Sequence, residues 1–267
     1  EAMQAIAREL NLSETVFVVP ATDPRADYGV RIFTPRNELD FAGHPTLATA
    51  FALSELGGFE SQLAHGRFVQ QCRMGLVPVD IETRDGMRFF TMTQGTPVRR
   101  SAPLSRETAA KLLGMDAEDL LEAPLEVVST GVPWLVIGLK DVGRVERIRP
   151  DQAAIQRLSS ELRCDGVIAF ARGASGPGCH VRLRTFAPLQ GIAEDPVCGS
   201  GNGSVAAYLD AHDLWPCAGD SYWAEQGVEL KRAGRVRVQV WRDANSATRI
   251  VRVGGHAVRT TEGFLYA

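Results

Sequence analysis

The chain has 267 residues, 45% hydrophobic and 23% charged, and its 29 basic and 32 acidic residues give a formal net charge of −3. This composition excludes a disordered or fibrous protein, because it supplies enough apolar side chains for a sizeable core. The near-neutral charge excludes a strongly basic nucleic-acid-binding protein, and no apolar run approaches the roughly 18 residues of a membrane-spanning helix. We therefore expect neither a nucleic-acid nor a membrane partner.

The cysteines are odd in number and lie far apart in the sequence: Cys72, Cys164, Cys179, Cys198 and Cys217. Disulfide frameworks and zinc sites need paired or clustered cysteines, and this chain has no C-x-x-C pair. The pattern indicates reduced thiols in a cytoplasmic protein without a bound metal.

Hydrophobic periodicity predicts helices and strands in a mixed order. In chain order these are a helix at 1–10, strands at 16–19 and 28–34, a helix at 46–56, strands at 68–70, 76–82 and 88–92 with a hairpin turn at 84–86, a helix at 106–113, a strand at 134–139, a helix at 152–162, strands at 167–170 and 180–186, a helix at 204–214 and a strand at 236–241. Strands outnumber helices, which favours an α+β fold with mainly antiparallel sheets over a doubly wound one.

An internal repeat links two parts of the chain. Residues 33–35 (F-T-P) are similar to residues 186–188 (F-A-P), and residues 38–44 match residues 194–200 at a constant separation of 156 positions. Each part combines a strand, an F-x-P turn, an acidic residue, a loop of small residues and a helix. The repeat predicts two similar halves whose equivalent loops meet at a shared cleft.

The loop at 198–204 (C-G-S-G-N-G-S) is the strongest local signal. Glycines let a ligand approach the backbone closely, and the N-terminus of the following helix attracts anions. A dinucleotide motif fails because Ser204 replaces its third glycine, and a nucleophile elbow fails because Cys198 and Asn202 replace its glycines. Two interpretations remain, a site for a carboxylate-sized anion and a plain glycine-rich helix cap.

The equivalent loop at 41–46 (F-A-G-H-P-T) has less glycine but the same physical character. Pro45 suits the first turn of a helix, and His44 would lie at the positive end of that helix. His44 also stands opposite Ser200 in the repeat, which favours a functional imidazole over a structural one.

Several side chains near these loops are candidates for proton transfer. Glu14, Glu38 and Asp195 are acidic, and a carboxyl in a closed, partly apolar cleft can exchange a proton near neutral pH. The residues alone do not rank these three. Cys198 is a further candidate base at a helix N-terminus, but its counterpart in the repeat is Ala42, so the chain lacks a matching second thiol.

Three motifs together resemble the PhzF-like phenazine-biosynthesis isomerases. Residues 3–15 are similar to the family's N-L-S-E-T segment, residues 31–46 to its R-I-F-T-P-x-x-E-L-x-F-A-G-H-P motif, and residues 194–202 to its E-D-P-x-x-G-S-x-x stretch. Weaker matches at 129–134 (S-T-G-V-P-W) and 225–227 (E-Q-G) follow the same order, so the resemblance covers nearly the whole chain.

The resemblance implies an α+β, diaminopimelate epimerase-like fold with two pseudo-symmetric halves, each a mainly antiparallel sheet rolled around a central helix. We place the N-terminal half at 1–98, with the family's opening strand missing, and the C-terminal half at 99–254. A last strand near 255–267 is expected to return to the first half. A homodimer is consistent with the resemblance.

The resemblance also implies a role for each site residue. Glu14 is the general acid/base, and His44 and Asp195 are the further catalytic residues. The substrate-binding residues are Gly43, Cys198, Gly199 and Ser200. The expected protein is a cofactor-independent, metal-free biosynthetic isomerase that moves a proton on a small carboxylate-bearing substrate, cyclic or amino-acid-like, in the cleft between the halves.

The sequence departs from the phenazine enzymes in two places, and this leaves the substrate open. Cys198 stands where those enzymes usually carry threonine, and residues 231–233 (K-R-A) stand where G-R-P is usual. One alternative is an amino-acid epimerase or racemase with Cys198 as one base and Glu14 or His44 as the other. The second is a non-catalytic member of the family that binds a small anion.

Overall fold

The computed structural model describes residues 1–84, 86–242 and 249–265, and the chain forms two compact units. Unit 1 comprises residues 1–92 together with 254–267, and unit 2 comprises residues 93–253. Within the described residues, no helix combines the length and apolar character that crossing a bilayer requires. The predicted hairpin turn at 84–86 includes Asp85, which lies outside the described residues.

Unit 1 is built from a mixed sheet and its helices. In chain order the elements are α1 (Ala2–Leu10), β1 (Thr15–Val19), β2 (Tyr28–Phe33), β3 (Glu38–Leu39), α2 (Gly43–Leu56), α3 (Glu60–His65), β4 (Arg67–Cys72), β5 (Gly75–Arg84) and β6 (Met87–Thr93). The strand order is β1-β2-β4-β5-β6, with β3 also paired to β2. These pairs are antiparallel except for the parallel pair β2–β4. Helix α2 buries Thr46, Ala50 and Leu53 and packs against β1 and β5.

Unit 2 begins at residue 93 and contains the remaining elements. These are β7 (Val98–Ser101), α4 (Arg106–Leu112), β8 (Glu126–Ser129), β9 (Pro133–Gly138), α5 (Val142–Arg147), α6 (Gln152–Leu162), β10 (Gly166–Arg172), β11 (Val181–Ala187), β12 (Ile192–Asp195), α7 (Gly199–Ala211), β13 (Ser221–Gln226), β14 (Gly234–Arg242) and β15 (Arg249–Gly255). The strand order is β15-β14-β13-β11-β10-β9-β8-β7, with β12 also paired to β11.

Strand β10 is packed on both faces, by α4, α5 and α6 on one side and by α7 on the other. Its sequence G-V-I-A-F-A is almost continuously apolar, as expected for a strand covered on both faces. Val167 and Ala169 join the apolar cluster formed with α4, α5 and α6. Phe170, on the opposite face, makes an edge-to-face contact with Tyr208 of α7, with ring centroids 5.7 Å apart. Helix α7 is therefore buried along most of its length, from Ser200 to Leu209.

The two units repeat one arrangement, which we call the shared framework: a helix followed by β1, β2, β3, α2, β4 and β5 in unit 1, and by β10, β11, β12, α7, β13 and β14 in unit 2. Both contain an antiparallel pair, then a parallel pair, then another antiparallel pair. Helices α2 and α7 begin at Gly43 and Gly199, 156 positions apart. The predicted repeat and the predicted mixed α/β architecture are confirmed.

Several predicted boundaries are wrong. Helices α2 and α7 begin three and five residues earlier than predicted, because small residues and a proline occupy their first turns where the sequence suggested loops. The last strand was predicted near 255–267 as a return to the first half, and unit 1 does include the residues from 254 onward. Strand β15 ends at Gly255, and the described residues 256–265 form no strand.

Candidate active site

Glu14 and His44 form a close acid–base pair in unit 1. Glu14 lies directly before β1, and His44 is the second residue of α2. His44 Nε2 is 3.2 Å from Glu14 Oε2, and the Glu14 side chain is 9% exposed while that of His44 is 37% exposed. The imidazole therefore connects a nearly buried carboxylate with the surface, which is a suitable arrangement for moving a proton.

The pKa of Glu14 lies below its usual value of 4.5. Burial is the largest single influence and raises the pKa, because a charged carboxylate is poorly solvated there. The hydrogen bond from His44, the charge of His44 and a hydrogen bond from Ser13 together outweigh it. The lowered pKa favours the ionised carboxylate at neutral pH.

The N-terminus of α2 carries Gly43 next to this pair. Its N-cap residue is Ala42, in extended conformation, and no side-chain hydrogen bond caps the helix. The first N–H groups of a helix have no acceptor inside it, so those of Gly43 and His44 are suited to an anion. Thr46 secures the turn by donating its hydroxyl to the Ala42 carbonyl at 2.8 Å.

Cys198 caps the N-terminus of α7 in unit 2. Its Sγ accepts the backbone N–H of Gly201 at 3.3 Å, and the side chain is buried. This contact provides an acceptor for one of the first N–H groups of the helix. The N–H groups of Gly199 and Ser200 lie too near the start of the helix to have an acceptor within it. Cys198 thus has a structural role that its spacing did not predict.

Ser200 is held from two sides at the start of α7. Trp134 of β9 donates its indole N–H to Ser200 Oγ at 3.1 Å, and Cys198 Sγ is 3.5 Å from the same oxygen. All three side chains are buried, so the position of the hydroxyl is fixed by packing as well as by hydrogen bonds.

Asp195 ends β12 and shapes the turn into α7. Its Oδ1 accepts the backbone N–H of Val197 at 3.0 Å. The buried Gln226 of β13 connects both ends of this turn, since its Nε2 donates to the Asp195 carbonyl at 2.7 Å and its Oε1 accepts the Cys198 N–H at 3.0 Å. Gln226 also accepts from Asn202 Nδ2 at 3.1 Å.

The glycines of α7 serve packing inside unit 2. A Cβ on Gly203 would overlap the amide of Gln94, which itself donates to the Gly199 carbonyl at 3.0 Å. A Cβ on Gly201 would lie 2.8 Å from Ile168 Cδ1. These two glycines let Gln94, just after β6, and Ile168 of β10 pack against the helix backbone.

The structure thus groups the predicted site residues by unit. Unit 1 brings together Glu14, His44 and Gly43, and unit 2 brings together Asp195, Cys198, Gly199 and Ser200. Glu38 is paired with Arg31, since its carboxylate accepts two N–H groups from that side chain at 2.8 Å each. The catalytic and binding roles of the predicted site residues in both units remain predictions.

Sequence reasoning did not assign a role to Gln94, Trp134 or Gln226. Trp134 and Gln226 stand in the weaker family matches S-T-G-V-P-W and E-Q-G, which were the available signal. Among residues 1–84, 86–242 and 249–265, no three His, Cys, Asp or Glu side chains are grouped as metal ligands would be.

Comparisons with known proteins place this geometry in context. A family model described as "Phenazine biosynthesis-like protein" matches residues 1–263. The trans-2,3-dihydro-3-hydroxyanthranilate isomerase of Pseudomonas aeruginosa is 34% identical over 267 residues, which cover 100% of this chain and 88% of that protein.

Solved structures show the same fold. A phenazine biosynthesis protein of the PhzF family from Bacillus anthracis superposes with a TM-score of 0.86 at 28% identity, over 96% of this chain and 85% of that chain. A hydroxyproline epimerase from Agrobacterium vitis has a TM-score of 0.60 at 20% identity, over 91% of this chain and 71% of that chain, which shows a common fold alone. The predicted diaminopimelate epimerase-like fold is confirmed.

Proposed function

Since the chain belongs to the phenazine biosynthesis-like family of isomerases, we propose that it isomerises a small carboxylate-bearing substrate without a cofactor, with Glu14 as general acid/base. The observation that carries the proposal is the 3.2 Å contact between the nearly buried Glu14 carboxylate and His44. A positioned acid–base group contributes roughly 10²–10⁴-fold to a rate.

The proposed reaction moves one proton between two carbons of the substrate. Glu14, ionised at neutral pH, takes a proton from a carbon next to an unsaturated or carboxylate-bearing group, and the electron pair left behind delocalises into that group. The protonated Glu14 then returns the proton at the other carbon. No electron is gained or lost, so the reaction needs no redox partner. The hydrogen bond and charge of His44 favour the ionised form of Glu14 before the transfer.

The substrate carboxylate is proposed to bind the first turn of α7. Gly199 and Ser200 supply backbone N–H groups there, and the Ser200 hydroxyl adds a third donor. Such fixed donors also stabilise the negative charge that develops as the proton leaves. We propose, from the sequence resemblance, that this turn and Glu14 act on the same substrate molecule, with Gly43 as a further donor and Asp195 as a residue that assists proton movement.

The first substrate to test is trans-2,3-dihydro-3-hydroxyanthranilate, because the Pseudomonas aeruginosa relative is named for it. The reaction is run in deuterium oxide and followed by proton NMR. We expect conversion to the isomer, with deuterium at the receiving carbon to the extent that the proton on Glu14 exchanges with solvent before it is returned, and a loss of at least 10²-fold in rate for Glu14→Gln.

Glu38→Gln is the matched control. It makes the same chemical change at Glu38, the other glutamate of unit 1 that the sequence analysis named as a candidate for proton transfer. Its rate should stay close to that of the wild type. Wild-type turnover by Glu14→Gln would reject the general acid/base, and an inert wild-type protein would reject this substrate. If the protein instead incorporates deuterium at the α-carbon of an amino-acid substrate, the alternative function of an amino-acid epimerase is favoured.

A further inference from the structure

The shared framework gives both Glu14 and His44 of unit 1 a counterpart in unit 2. The helices before β1 and β10 both end in a left-handed residue, Asn11 and Arg163, each with φ of 50°. Four residues later, Thr15 pairs with Phe33 in unit 1 and Val167 pairs with Phe186 in unit 2.

This register makes Gly166 the counterpart of Glu14, since each lies one residue before those paired strand residues. The separation of 156 positions makes Ser200 the counterpart of His44. The same backbone positions therefore hold a carboxylate and an imidazole in unit 1, and a glycine and a hydroxyl in unit 2.

No side chain can replace the glycine without displacing its neighbours. A Cβ on Gly166 would overlap the Phe186 carbonyl oxygen and would lie 3.0 Å from the Trp134 ring. Trp134 is the register partner of Gly166 on β9, so its indole covers the place where a side chain would otherwise project. The Trp134 N–H donates to Ser200 Oγ at 3.1 Å, much as Glu14 faces His44 in unit 1.

We propose that Trp134 is a positioning residue that makes Ser200 a hydrogen-bond donor to the substrate anion. A hydroxyl has two lone pairs and one hydrogen. The Trp134 N–H occupies one lone pair, and the Cys198 thiol lies 3.5 Å from the same oxygen. With Trp134 in place, Ser200 Oγ accepts from inside the unit, and its hydrogen can point to Cys198 Sγ or, when an anion binds at the start of α7, to that anion. This inference rests on the proposed carboxylate site.

The hydrogen bond is tested by NMR on protein labelled with ¹⁵N at its four tryptophans. Trp134→Phe removes the donor, keeps an aromatic ring over Gly166 and identifies the Trp134 indole signal by its loss. Ser200→Ala should shift that signal and speed its exchange with solvent, and leave the other three in place. An unchanged Trp134 signal in Ser200→Ala would overturn the proposal.

The positioning role is tested by calorimetric binding of 3-hydroxyanthranilate, an aromatic carboxylate analogue of the relative's named substrate. Trp134→Phe and Ser200→Ala should each weaken binding about 3- to 10-fold, and the double variant should be no weaker than Ser200→Ala alone. Trp215→Phe is the matched control, because its indole donates to the Gly219 carbonyl at the surface. It should bind like the wild type.

Multiplicative losses in the double variant, or full affinity in Trp134→Phe, would overturn the positioning role. Absence of binding by the wild-type protein would also overturn it, together with the carboxylate site. Failure of the proposed proton transfer is distinguishable, because its readout is turnover of a substrate by the wild type and Glu14→Gln, whereas the readout here is the affinity of the wild type and the Trp134 and Ser200 variants for a probe.

Discussion

Gln226 accepts the backbone N–H of Cys198 through its Oε1 at 3.0 Å and, from the other side of the same amide, donates to the Asp195 carbonyl at 2.7 Å. One buried side chain thereby fixes the separation of the two ends of the turn that leads into α7. Its remaining contacts, with Asn202 and Thr185, leave the amide fully engaged. The Gln226 amide therefore fixes the shape of this turn without needing to contact the substrate.

Gln226→Met should lower the free energy of unfolding by about 1–3 kcal/mol, because the Asp195 carbonyl and the Cys198 N–H lose a buried partner. Affinity for 3-hydroxyanthranilate should fall as well. Gln71→Met is the matched control, since the Gln71 amide bonds Thr22 and Asp23 near the surface, where water can replace it. Urea unfolding and calorimetry measure both. Equal effects of the two substitutions would contradict the role given to Gln226.

The Glu14–His44 pair should make stability depend on pH at the acid end. A carboxyl whose pKa is lower in the folded than in the unfolded protein stabilises the fold above its unfolded pKa, and this contribution is lost as the pH falls through the folded value. The wild type should therefore lose stability relative to Glu14→Gln as the pH falls below about 4.5. Urea unfolding from pH 7 to pH 3 checks this, and a difference between the two proteins that does not change with pH would contradict it.

Cys198→Ala distinguishes one-base from two-base chemistry. If Glu14 alone transfers the proton, the variant should keep its rate within a few-fold and lose about 1 kcal/mol of stability, because the Gly201 N–H loses its cap. Cys198→Ser, which restores an N-cap oxygen, should recover that stability. The rate of deuterium exchange at the α-carbon of an amino-acid substrate tests the alternative. If Cys198→Ala lowers that rate more than 10²-fold, an epimerase with Cys198 as one base is favoured.

Gly203→Ala should destabilise unit 2 by about 1–3 kcal/mol, because its methyl group overlaps the buried Gln94 amide. Gly143→Ala provides the control within another helix, α5. A Cβ there meets only Asp141 Oδ1 at 3.5 Å, so the exchange should be neutral or stabilise by up to roughly 1 kcal/mol through helix propensity. Thermal unfolding measures both. A neutral Gly203→Ala would show that Gln94 can move away at little cost.

The sequence predicted most of the periodic elements and the repeat, because both depend on local patterns. Helix α6 has the predicted bounds, and α4 differs by one residue at its end. Short elements such as β3, β12 and α5 were missed, since two to six residues carry too little periodicity to stand out. A cytoplasmic location and a homodimer remain predictions.

The sequence and its family motifs supplied the candidate site residues but not the contacts between them. Glu14 and His44 stand 30 positions apart, and only the fold shows them 3.2 Å from each other. The glycine-rich first turn of α7 indicated a loop because glycine weakens helices, and the packing that overrides this propensity involves Gln94, more than a hundred residues earlier. Pairings over such distances leave no mark in local spacing.

The repeated framework has an evolutionary consequence. Two copies of one arrangement need a titratable pair only once, and in unit 2 the counterpart positions hold Gly166 and Ser200, which carry neither a carboxylate nor an imidazole. Under the proposed mechanism, substitutions around the start of α7 would alter which anion is recognised while Glu14 and His44 keep the proton transfer. A duplicated architecture of this kind lets a lineage acquire new substrates without reinventing its chemistry.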